Sequence, residues 1–209
     1  MPEETDRKGV PYLTKARLEA ITDGIFAFAM TLLVINLLLP DKTNLVQTND
    51  YALHTLLSLY SSFFHYVLAF LILGAFWIGH HIQFHSVQIV NRTFVWINLV
   101  TLMFVALLPF STSYYGAFNE TAVGAIVFEV NLFVLGMGLF VQWRYATRGG
   151  RLVEPSLHPT YVRRVAARNL VVPVVSVLCM IIALAGSTWS TALYMTLPFI
   201  DYLTERIIT

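Results

Sequence analysis

Charge is what this chain has least of. Asp, Glu, Lys and Arg make up 12% of its 209 residues, about half the share usual in a soluble domain. With 57% hydrophobic residues and a mean hydropathy of +0.68, the composition excludes a soluble domain and implies an integral membrane protein. A net charge of +1 supplies no field for nucleic acid. Cysteine is nearly absent too: Cys179 stands alone in an apolar run. It excludes an intrachain disulfide, reads as a small core residue, and says nothing about redox compartment. The first 15 residues, MPEETDRKGVPYLTK, lack the apolar stretch of a signal peptide. There is no glycine-rich phosphate loop, no nucleophile elbow and no TVGYG-type carbonyl filter, so no enzyme is expected. Without internal repeats or low-complexity tracts, the chain divides into a polar cytoplasmic N-terminus (1–15) and one transmembrane domain (16–209).

Long apolar runs are what it does have. About 20 apolar residues at ~1.5 Å each cross the ~30 Å hydrocarbon core. Six hydrophobic spans follow: 18–39, one within 51–85, 94–116, 121–145, 165–185 and 189–203. The second exceeds one crossing and is expected to emerge as helix or tilt. A GST turn at 186–188 joins the last two as a hairpin. With the N-terminus inside, the cytoplasmic side holds 12 of the 13 Lys and Arg residues, and only Lys42 lies opposite. That is a strong positive-inside asymmetry. The segment 144–168 is expected to be the main cytoplasmic loop, and Pro109, Pro173 and Pro198 can kink their helices.

The first span, RLEAITDGIFAFAMTLLVINLLLP, carries Arg17 and Asp23 near its start. On a helical wheel Ile21, Gly24, Phe28, Leu32, Ile35 and Leu39 form one stripe, with Thr31 at its edge. Asp23 points ~120° away from that stripe. The stripe either packs on another helix or lipid, or lines a pore made by several copies, where apolar rings gate by dewetting.

Asp23 needs a partner at that depth. The second span ends in FWIGHHIQFH, where Trp77, His81 and His85 share a stripe beside His80. A cluster of Asp23, Arg17, Trp77 and a histidine would satisfy the acid. Two other readings remain for the histidines: zinc bound at His81 and His85, without a supporting H-E-x-x-H pattern, or a proton gate or relay. Glu129 in AIVFEVNLF is either a proton or cation site, or a protonated acid bonded to a neighbouring helix. Asp201 and Glu205 read as interfacial.

These residues resemble a known family, the transmembrane-protein-175 potassium channels. Its opening Arg-x-x-x-Phe-Ser-Asp reads here Arg17-Leu-Glu-Ala-Ile21-Thr22-Asp23, and Phe76-Trp77 with GHHIQFH follows. Asn98-Leu99 then leads into Leu107-Leu108-Pro109-Phe110. The resemblance covers three spans by motif and the whole chain by layout. It implies an all-α membrane protein of six transmembrane helices per subunit, whose first helix lines a central pore in a homotetramer. The family's constriction falls on Phe28, with Thr31, Leu32 and Ile35 also facing the pore. Arg17, Thr22, Asp23, Trp77, His80, His81 and Asn98 form the supporting network. Phe28 is bulkier than the family's aliphatic ring, and Ile21-Thr22 replaces Phe-Ser while retaining a hydroxyl. The expected function is a passive potassium-favouring cation channel in the cell membrane of a bacterium, with permeant K+ and no bound cofactor or metal. The alternative is a proton-linked transporter using Glu129 with His80, His81 and His85.

Overall fold

The structure, a computed structural model, describes residues 13–37, 48–186, 191, 193 and 194. Six α-helices occupy them: α1 (Lys15–Leu33), α2 (Asn49–Ser58), α3 (Tyr60–Ser86), α4 (Arg92–Ala117), α5 (Ala122–Thr147) and α6 (Pro159–Leu184). All but α2 are long and apolar enough to cross a membrane, and no strand occurs among the described residues. Local chemistry sets the starts. Thr14, Thr48, Asn91 and Thr121 each accept a hydrogen bond from a first-turn backbone N–H, the usual role of an N-cap. His158 caps α6, with Pro159 at the first helical position.

The long second span is two helices, α2 and α3, broken at Leu59. The segment 144–168 is mostly not loop: α5 runs to Thr147 and α6 begins at Pro159, so Arg163, Arg164 and Arg168 stand on helix. The sequence places the fifth span's start at 165 because hydropathy registers only the apolar part of a helix. Gly149 and Gly150 end α5 at positive φ (70° and 63°), a conformation glycine adopts without strain. The connection is then held against the α3–α4 turn, where Gln88 N–H donates to the Leu152 carbonyl at 2.7 Å. The sixth span and Pro198, Asp201 and Glu205 lie outside the described residues, apart from Thr191, Leu193 and Tyr194.

α5 is the central post, packed on α4 and on α6 over its length. Two glycines allow the approach. A Cβ at Gly138 would stand 2.5 Å from Thr101 Oγ1 on α4, and one at Gly136 would stand 2.6 Å from Pro173 Cδ on α6. Small residues bring helices close in a membrane, where no difference in apolarity drives them together. α1 lies against α4 and α3 and buries Leu18, Thr22, Phe26, Ala29 and Leu33. One core joins Phe26, Ala29 and Leu33 to Leu73, Leu102, Val105, Phe128 and Leu132. A second, at the arginine-rich end, joins Leu18, Phe84, Phe94, Trp143 and Leu152.

Candidate functional site

Among the described residues, the face of α1 opposite its buried side is left bare. Ile21 is 48%, Phe28 65% and Ile35 61% exposed, while Gly24 and Thr31 are also exposed and Leu32 is half-buried. Among the described residues, most of the stripe is therefore not spent on packing. Past Leu33 the helix tightens into a 3-10 turn, Val34–Asn36, so Ile35 continues the stripe from a different winding. Thr31 donates its hydroxyl hydrogen to the Phe28 carbonyl at 2.7 Å. Its oxygen lone pairs are thus the part left to face outward.

Behind the bare face, α1 is tied at three points. Near the arginine-rich end, Asn98 Nδ2 on α4 donates to Thr22 Oγ1 at 3.0 Å, and Thr22 donates to the Leu18 carbonyl at 2.8 Å. Asn98 Oδ1 accepts from Gln142 Nε2 on α5 at 3.0 Å and lies 2.8 Å from His80 Nε2 on α3. A carboxamide oxygen only accepts, so His80 carries its proton on Nε2. Four helices meet at this one wholly buried carboxamide. Separately, Trp77 Nε1 donates to Asp23 Oδ1 at 2.9 Å. At the other end Asn36 Nδ2 donates to the Pro109 carbonyl at 2.9 Å.

The single cluster expected around Asp23 thus divides in two. Thr22, His80 and Asn98 form the buried hub, whereas Asp23 and Trp77 form an exposed pair, with the His81 ring 6.0 Å from that of Trp77. Arg17 joins neither: it is exposed, and among the described residues no side-chain bond links it to Asp23. Six residues of helix place the two ~120° apart, too far around the helix to meet. His85 is exposed as well. A pocket between α1 and α3, lined by Glu19, Thr22, Asp23, His80, His81 and Phe84, separates hub and pair. Gln142 and Asn36 were not anticipated, because amides in long apolar helices carry no distinguishing spacing.

Glu129 is fully buried and accepts from the Tyr194 hydroxyl, which lies 2.8 Å from Ser176 Oγ. Asn131, one face over, bonds Ser111 on α4 at 3.0 Å. Gln142, level with the His80 hub, is 13 residues further along α5, about 20 Å. Glu129 and the histidines are not one site.

Comparison with known proteins matches residues 17–109 to the model of a family described as the endosomal/lysosomal potassium channel TMEM175. A protein of Streptomyces collinus named a potassium channel is 30% identical over 156 residues, covering 73% of this chain and 74% of that one. A rat protein named an endosomal/lysosomal proton channel TMEM175 is 32% identical over 110 residues, 51% of this chain but 22% of its own length. The fold matches a crystal structure described as a lysosomal potassium-selective channel TMEM175 homolog from Chamaesiphon minutus. There the TM-score is 0.77 at 21% identity, over 91% of this chain and 97% of that one.

Proposed function

The chain belongs to the TMEM175 family of potassium channels, and from that membership we infer a passive, potassium-favouring cation channel whose ions follow the bare stripe of α1. One observation carries the pathway: α1 is pinned to its own subunit on one face and exposed from Ile21 to Ile35 on the other. A face with Gly24, Thr31 and a large aromatic among aliphatics suits a narrow axis shared with symmetry mates. We propose four copies around that axis, with the N-terminus cytoplasmic as the arginine asymmetry favours.

Phe28 then forms the constriction, and Leu32 and Ile35 continue the apolar wall. Thr31, with its hydrogen donated backward, offers an oxygen from each copy. Such a ring can replace part of an ion's hydration shell where no carbonyl filter exists. The Asn98 hub holds α1 at the depth where its stripe meets the axis, and the Asp23–Trp77 pair braces the arginine-rich mouth. The proton-linked transporter gains no support: its acid and its histidines are ~20 Å apart, and Glu129 is enclosed.

Flux into vesicles carrying the purified protein decides the matter. Potassium uptake driven by a potassium gradient alone, exceeding sodium uptake under a matched gradient, is the expected outcome. Uptake that requires a pH gradient would refute a passive channel.

A further inference from the structure

A cleft between α3 and α6, floored by Leu139 of α5, lies apart from the bare stripe of α1. Along α3 its wall runs from Ile72 through Phe76 to Gly79, ~10 Å of apolar surface. On α6 the wall is Val171 and Val172, and it ends in Arg168 and Asn169. Arg168 is the last charged residue before the apolar run of its helix. An unconstrained arginine at this position snorkels toward water. Here the half-buried side chain instead lies over α3: a Cβ built on Gly79 would stand 3.6 Å from its guanidinium nitrogen. Gly79 is seven residues from the end of α3 at Ser86, about 10 Å below it.

Two donors in this cleft have no acceptor among the described residues. Among the described residues, no hydrogen bond or ion pair engages the Arg168 guanidinium. Asn169 is buried, 9% exposed, and spends its Oδ1 on Gln83 Nε2 at 3.1 Å, leaving Nδ2 unpaired. A buried amide donor without a partner is costly. Free donors, one of them a guanidinium, at the end of an apolar channel at membrane depth define the missing partner. It must be an anion with several acceptor oxygens attached to a hydrocarbon tail.

We propose that the α3–α6 cleft binds an anionic phospholipid of the arginine-rich leaflet, its phosphate on Arg168 and Asn169 and one acyl chain along Phe76, Ile72 and Val172. Guanidinium meets phosphate through paired N–H donors. No acidic side chain lines the cleft to hold the cationic headgroup of a zwitterionic lipid. The lipid fills the gap where α3 and α6 diverge and steadies α6 against α3.

The test is lipid titration of the full assembled protein in detergent, read by native mass spectrometry, with phosphatidylglycerol, phosphatidylcholine and inorganic phosphate as probes. Phosphatidylglycerol is expected to bind at about one per chain, ahead of phosphatidylcholine. Arg168→Gln should weaken it by about five- to tenfold, and Arg168→Lys by less, since the charge stays while the fork is lost. Gly79→Leu, which keeps the arginine but fills the cleft, should also expel the lipid. Equal binding by parent and Arg168→Gln, or equal binding of the two lipids, overturns the proposal. So does displacement by millimolar inorganic phosphate, which would make the site one for a free anion. If Arg168→Gln fails to assemble, Arg168→Lys and Gly79→Leu decide: unchanged lipid binding in both is a refutation. None of these readouts depends on conduction.

Discussion

α1 and α6 both leave one face bare, and they do so for different reasons. In their most apolar stretches 28% of α1 and 22% of α6 is buried, so exposure alone does not separate them. Composition of the bare face does. On α6 it is Val174, Val177, Leu178, Ile181 and Leu184, uniformly aliphatic, as a surface in contact with acyl chains should be. On α1 it includes Gly24, Thr31 and Phe28, with Asp23 close by. The two also differ behind that face. α1 is tied to α3 and α4 by three side-chain hydrogen bonds of 2.9 to 3.0 Å that lie opposite its bare stripe. α6 is bonded to α5 and α3 near its start, Trp143 to the Val162 carbonyl at 2.9 Å and Gln83 to Asn169 at 3.1 Å, and packs closely through Pro173 against Gly136 further along.

The largest expected effect comes from removing what orients α1. Asn98→Ala leaves Gln142, His80 and Thr22 without their shared partner, at roughly 1–3 kcal/mol for each buried group left unsatisfied. We predict loss of assembled protein, seen by size-exclusion chromatography. A fully assembled Asn98→Ala variant with parental thermal stability would show that shape alone positions α1.

Next comes the bare stripe. Phe28→Ala should raise potassium flux on the order of tenfold, equivalent to ~1.4 kcal/mol in the barrier, because the side chain removed is the one narrowing the axis. Thermal stability should hardly change, since Phe28 is 65% exposed on its own subunit. Parental single-channel conductance in this variant would place the constriction elsewhere.

Asp23→Ala should do less. The change removes one exposed hydrogen bond to Trp77 and leaves Arg17 as it was, so about 1 kcal/mol is expected. Asp23→Asn, which keeps an acceptor for Trp77 Nε1, should retain most of it. A severe assembly defect in both variants would mean that the carboxylate meets another subunit, with Arg17 the first candidate partner.

The smallest effect belongs to α6. Leu178→Ala, on the aliphatic face, should change stability by no more than ~0.5 kcal/mol and leave flux unaltered. A conduction phenotype there would erase the distinction between the two helices.

Much of this could be read before any coordinates. Apolar runs located the spans, because crossing ~30 Å of hydrocarbon demands ~20 residues whatever their neighbours. The wheel separated Phe28 and Ile35 from Asp23, because 3.6-residue winding is a property of one chain segment. Less legible were the ends of α6 and the break at Leu59. Windowed hydropathy blurs a polar first turn and an uncapped junction. The partners were least legible of all. Trp77 does donate to Asp23, while Arg17, expected in the same cluster from its depth, makes no described side-chain bond to that acid within the subunit. Gln142, Asn36, Asn169 and Tyr194 gave no warning, since one polar residue in an apolar helix looks alike whether it meets a carbonyl, a carboxyl or nothing.

By itself, then, the sequence determined that this is a multi-span membrane protein, that its first helix has two unlike faces, and to which family it belongs. All three follow from composition, period and motif, which are local quantities. Tertiary structure alone decided which face of α1 stays bare, that one carboxamide joins four helices, and that Arg168 and Asn169 end an apolar cleft with donors unspent. Those outcomes depend on which segments become neighbours, and distance in space is not written in distance along the chain.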